Sequence, residues 1–249
     1  MIKKLILLFT TLLITFFISS SEEIKLNEEH NYFEVTEKSA SEFSFINHFS
    51  KINTQRLKTK EGGFVKLIVN GYVTDKKFGK PELPVLKKLL RVPFGGQAVV
   101  KIINKQEQII SLSDYGIYLP IFPNQPSISK GDNAEDVPFI FDRDYYKINQ
   151  LSENIPIKIE LLGKMREMQM ARLNISPFSY NPVTNEMKII TKIEVKIVFK
   201  NAKYLEDISI RKKYFNPNFE HQFKQFVNYL PLPTKDVIST YPIKYVIIA

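Results

Sequence analysis

The residues able to do chemistry are few and badly placed for it. Three histidines, His30, His48 and His221, stand far apart, with no His-Glu-x-x-His spacing and no cysteine anywhere in 249 residues. A thiol nucleophile, a thiolate metal site and any disulfide are therefore ruled out for this polypeptide. There is no Gly-x-Ser-x-Gly elbow, no phosphate-binding loop and no dinucleotide fingerprint. Asp132-Asn133-Ala134-Glu135-Asp136 offers hard oxygen ligands of the kind calcium takes, but without the spacing of a calcium loop, so it reads as a solvated loop. No cofactor is expected. The basic cluster Arg211-Lys212-Lys213 reads, on its own, as charge at a surface. As a polypeptide the chain reads as catalytically empty, and each histidine as a surface residue.

Composition is that of a globular protein, 44% hydrophobic and 24% charged. Met1-Ile2-Lys3-Lys4, the apolar run Leu5 to Ile18 and Ser19-Ser20-Ser21 follow the pattern of a secretory signal peptide over residues 1–21. The apolar run is shorter than the ~20 residues a membrane-spanning helix needs, so no membrane attachment is expected after signal removal. Without Lys3 and Lys4 the formal charge falls from +9 to +7. That surplus is spread thinly, with no aromatic interleaving, which argues against a nucleic-acid partner.

The remaining elements are mostly short strands. Residues 22–60 read as a polar lead-in with one or two weak strands. Phe64 to Val73 reads as a strand carried through a bulge at Gly71, and Ala98 to Leu112 as a hairpin turning at Asn104-Lys105-Gln106-Glu107. From Met187 to Phe199 the odd positions are apolar or Thr191 while even positions carry Lys188, Lys192, Glu194 and Lys196. Period two over this length predicts an antiparallel strand with one face in a core and one in water. Met170 to Ile175 is its expected partner. One helix, about 216–230, is predicted from Phe215, Phe219, Phe223, Phe226 and Leu230, with Asn216 as cap and Pro217 at its first position. The fold class expected is an antiparallel, jelly-roll-like β-sandwich over residues 61–200, followed by a connector over 201–243.

Three stretches carry a resemblance. Gly71-Tyr72 with Gly79-Lys80-Pro81-Glu82-Leu83-Pro84-Val85, then Val92-Pro93-Phe94-Gly95, then Pro177-Phe178-Ser179-Tyr180-Asn181-Pro182 before the long strand, resemble the propeptides of gingipain-type secreted cysteine peptidases. The resemblance covers roughly residues 60–200. It implies a pro-domain whose partner is the cognate cysteine peptidase catalytic domain, kept latent by a loop that lays a basic side chain in the enzyme's S1 pocket. By position that loop is Pro123 to Asp132 and the residue Lys130, with Arg143 and Lys147 as alternatives. It also makes Arg211, Lys212 and Lys213 candidates for activation cleavage in an exposed connection. Lys244-Tyr245-Val246-Ile247-Ile248-Ala249 is similar to the first strand of such a catalytic domain. The competing expectation is a stand-alone secreted sandwich that binds a protein or cell-surface partner.

Overall fold

The computed structural model describes residues 22–75, 77–131 and 137–232. The signal-like segment, the acidic stretch 132–136 and the terminal strand at 244–249 lie outside the described residues. Twelve strands are described: β1 Glu22–Lys25, β2 Tyr32–Lys38, β3 Glu42–His48, β4 Lys51–Thr59, β5 Gly62–Ile68, β6 Val73–Thr74, β7 Pro84–Val92, β8 Gln97–Ser111, β9 Ile157–Met165, β10 Met168–Ile175, β11 Phe178–Asn181 and β12 Glu186–Lys200. Helices α1 (Tyr204–Tyr214) and α2 (Pro217–Phe223) follow. The antiparallel sandwich expected from the sequence is present.

One sheet runs β6-β7-β10-β9; a second runs β11-β12-β3-β2 with β8 also paired to β12; a third is β1-β4-β5. Two cores lie between them. The first joins Ile24, Ile52, Val65 and Leu67 of the third sheet to Phe178, Tyr180, Met187 and Ile189. The second packs Leu86, Leu90, Ala171 and Leu173 of the first sheet against Phe43, Phe45, Ile193, Val195 and Ile197 of the second.

β12 belongs to both cores, and this corrects the picture of one dry face and one wet one. Met187 and Ile189 lie in the first core, whereas Ile190, Ile193, Val195, Ile197 and Phe199 lie in the second. Neighbours 189 and 190 point to opposite faces of a strand. Against β8 the register shifts between Ile190 and Lys192, leaving Thr191 as an extra residue. That bulge reverses the phase, so the odd positions on either side of Thr191 are buried while the core they enter changes.

Four further expectations are corrected. Residues 22–60 are no lead-in: they form β1 to β4, and Ile24, Phe43, Phe45, Phe49 and Ile52 are fully buried. β10 pairs with β7 and β9, in the other sheet from β12, because Pro177 interrupts the ladder between them. β8 is one continuous strand through Asn104–Glu107, its polar residues tolerated because they lie on a solvent-facing edge. Gly71 (φ 77°) makes a turn between β5 and β6 in place of a bulge.

One helix is expected, at about 216–230; the structure has a shorter one there and a second before it. α2 starts as expected, with Asn216 accepting from the amide of Asn218 at 2.9 Å and Pro217 at the first position, but ends at Phe223. The helical spacing of Phe226 is coincidental. The segment after α2 lies along the free edge of β7, where Val227 N donates to Leu89 O at 2.9 Å. α1 is the helix that was not expected, since it turns Asp207 and Arg211 inward and Leu205 and Ile208 outward.

Candidate functional site

The site is a loop and the clasp that holds it. Gly79 is buried at φ 78°, and a side chain there would meet Asp142 N and Ile140 Cγ2 at 3.1 Å. Its N–H donates to Asn124 O at 2.8 Å and its carbonyl accepts from Asp142 N at 3.1 Å. Both legs of the loop are thus fastened to one glycine, whose missing Cβ permits the approach. Asn124 N also donates to Lys80 O, and Glu82 N to Phe122 O, each at 2.8 Å. Pro81 forms a bridge with Pro123. The Gly79-to-Pro84 motif is therefore the backbone against which the loop is tied, with Leu83 packed on the first core.

Above this clasp, Gln125 closes the neck. Its Nε2 donates to Ile140 O at 2.7 Å and its Oε1 accepts from Ile140 N at 2.9 Å. Phe64, Phe122, Phe139 and Phe141 pack edge-on or tilted beneath, with centroids 5.4–6.0 Å apart, and Tyr146 continues the stack. Burial of Tyr146, whose hydroxyl donates to Ile121 O at 2.6 Å, drives its phenol far above the ordinary range. Packed rings below and backbone ties above make this base a mount for the loop.

Lys130 stands on the arc beyond the neck, exposed, with no ion pair to a described residue. It is the sole basic residue between Gln125 and Ile140. The alternatives sit elsewhere. Arg143 lies below the neck, paired with Glu61 and stacked over Phe141 with its guanidinium 5.4 Å from the ring centroid. Lys147 closes a short 3-10 turn, with its ammonium 3.0 Å from Asp144.

The other family-motif residues make turns and crossings. Pro93 and Gly95 (φ 70°) form the β7–β8 turn, where Phe94 N donates to Asp207 Oδ1 at 2.9 Å and Phe94 O accepts from Lys203 N. Pro177 O accepts from Ile190 N at 2.8 Å where the chain changes sheets. Tyr180 donates its buried hydroxyl to Asn185 at 2.8 Å, and burial raises its pKa to about 12. Asn181 accepts from Val183 N and so closes the turn that begins at Pro182.

The basic cluster is not the exposed connection that was expected. Arg211 is buried in α1 and donates from Nη2 to Leu230 O at 2.7 Å; burial depresses its pKa against the opposing pull of Asp207. Lys212 and Lys213 close the last turn of the same helix, with Lys213 over the Tyr214 ring. His48 is corrected too: it is buried, stacked on Tyr32 at 5.0 Å and 3.1 Å from Glu29, in a structural role. His30 and His221 are exposed. No group of three metal-ligating side chains occurs among the described residues.

Sequence reasoning missed Asp207 and Asn228. Asp207 pairs with buried Arg91, and Asn228 holds the β7 edge through two 2.8 Å bonds to the Arg91 backbone. Buried polar residues in a helix whose exposed side mixes Leu205 and Ile208 with Glu206 and Lys213 give no periodic signal; only the charge spacing of Asp207 and Arg211 hints at them.

The class this fold and site define is an antiparallel, two-core β-sandwich domain that presents a clasped loop, and its 249 residues include no cysteine. The chain belongs to the Propeptide_C25 family, whose model matches residues 22–238. It is 31% identical over 229 residues to Lys-gingipain of Porphyromonas gingivalis, covering 91% of this chain and 13% of that protein. A solved structure addressing zymogenic latency of gingipain K superposes with a TM-score of 0.69 at 32% identity, over 74% of this chain and all of that one. A complex of the RgpB pro- and mature domains shares the fold, with a TM-score of 0.63 at 19% identity over 80% of this chain and 98% of its counterpart. No helix among the described residues is long and apolar enough to cross a membrane.

Proposed function

We propose that this chain is the pro-segment of a secreted gingipain-like cysteine endopeptidase, holding the catalytic domain latent and assisting its folding. The observation that carries the reading is Lys130 on an arc whose two legs are both tied to Gly79. A mount fixed before binding removes much of the ordering cost that a free loop would pay. The lysine enters the substrate cleft as a substrate side chain would, pairing with the acidic group that selects a basic residue. Specificity and latency then depend on one contact, and losing either partner leaves a buried charge unpaired. Similarity to Lys-gingipain and to the gingipain K structure supports the assignment.

Export through residues 1–21 belongs to the same reading. Activation cleavage is proposed at Lys212 or Lys213 rather than Arg211: all three lie in the last turn of α1, but Arg211 is buried with its guanidinium on Leu230 O, whereas Lys213 is exposed to an approaching protease. Mass spectrometry of the processed N-terminus locates the cut.

The loop assignment is tested by inhibition of the cognate peptidase domain with Lys130→Ala, Arg143→Ala and Lys147→Ala. Only Lys130→Ala is expected to weaken inhibition, by ~30-fold or more, as a buried anchor residue does. Unchanged inhibition by that variant would move the role to another residue.

A further inference from the structure

β8 is an edge strand whose second edge is unpaired among the described residues, since all its ladder contacts are to β12. From Lys101 to Ile109 every residue is exposed, including Ile102 at 45%, Ile103 at 57% and Ile109 at 59%. A long edge carrying exposed isoleucines is a pairing template unless it is guarded. The guards here are a bulge at Ile103 and the charges Lys105 and Glu107, which lie 2.9 Å apart on one face. These guards repel most strands but fit one partner. Turned antiparallel against itself about Gln106, the strand sets Lys105 opposite Glu107 of the other copy, twice, and Ile103 opposite Ile109, twice.

We propose that β8 is a self-association edge, pairing antiparallel with β8 of a second copy of this chain in the register centred on Gln106. The backbone agrees with that register. The carbonyl of Gln106 turns toward β12, where the Thr191 hydroxyl donates to it at 3.4 Å. In a strand the neighbouring residues then direct their amides and carbonyls the other way, so Lys105 and Glu107 present theirs to the incoming copy. Gln106 and its symmetry mate become a non-hydrogen-bonded pair, with Cα atoms ~4.5 Å apart. The two-fold arrangement is self-limiting, as isologous contacts are. A paired segment of this length buries less than a standard stable interface, so association is concentration-dependent.

The absence of cysteine makes the test clean. Gln106→Cys is introduced alone, with Asn104→Cys as a register control and exposed Gln150→Cys as a collision control. Under mild oxidation, Gln106→Cys is expected to form a disulfide-linked dimer fastest, because a residue on the two-fold axis meets itself. Adding Lys105→Glu or Glu107→Lys singly sets like charges opposite each other twice and is expected to slow that crosslink ~tenfold. Combining the two restores opposite charges and the rate. Sedimentation of the cysteine-free chain is expected to show the same order of self-association. Equal crosslinking at positions 106 and 150, or charge variants with no effect and no rescue, would overturn the proposal.

Discussion

Asn228 does for β7 what another strand would do. Its side-chain amide donates to Arg91 O and its oxygen accepts from Arg91 N, a peptide-like pair supplied by one buried side chain. Asn228→Ala leaves both backbone groups unsatisfied, which costs about 2–4 kcal/mol. Denaturant unfolding should show that loss, and the Arg91 amide should exchange faster while β12 amides stay protected. Glu167 presents the opposite case. Its Oε2 is buried without a hydrogen bond, with Arg166 Nε 3.9 Å away, and burial raises its pKa. A carboxyl raised in the folded state favours folding below its unfolded pKa and loses that contribution as pH rises through the folded value. Glu167→Gln should therefore match the parent near pH 4 and melt higher at pH 7, in paired thermal melts.

Elements were legible in the sequence where their partners are apolar and local. The alternation of β12 was readable because every odd residue from Met187 to Phe199 except Thr191 enters some core. Its bulge was not, because the phase reversal at Thr191 coincides with a change of core and leaves the pattern unbroken. β8 was broken in two because Asn104 to Glu107 look like a turn, and only an edge position allows them in a strand. α1 was invisible because it buries Asp207 and Arg211 against Arg91 and Leu230. The Gly79-to-Pro84 motif was found by resemblance alone; its use as the loop's clasp required the structure. That use has a consequence for stability and function together. Gly79→Ala forces a left-handed residue and a 3.1 Å contact with Asp142 N, at a cost of about 1–2 kcal/mol. It should weaken inhibition more than Lys147→Ala does, although it removes no charge.

For the whole molecule, two cores joined by β12 make one body whose loop mount and connector stand at opposite ends of β7. Pro84, beside the Glu82–Phe122 contact, starts that strand, and Arg91, which holds Asp207 and Asn228, lies near its end. The chain spans 13% of the length of the Lys-gingipain it resembles. The role is tested most directly by titrating the purified chain into the active cognate peptidase domain and following hydrolysis of a lysyl or arginyl peptide substrate. Activity should fall linearly to zero at one equivalent, and Lys130→Ala should leave most of it. Full peptidase activity at tenfold molar excess of the folded chain would contradict a latency function.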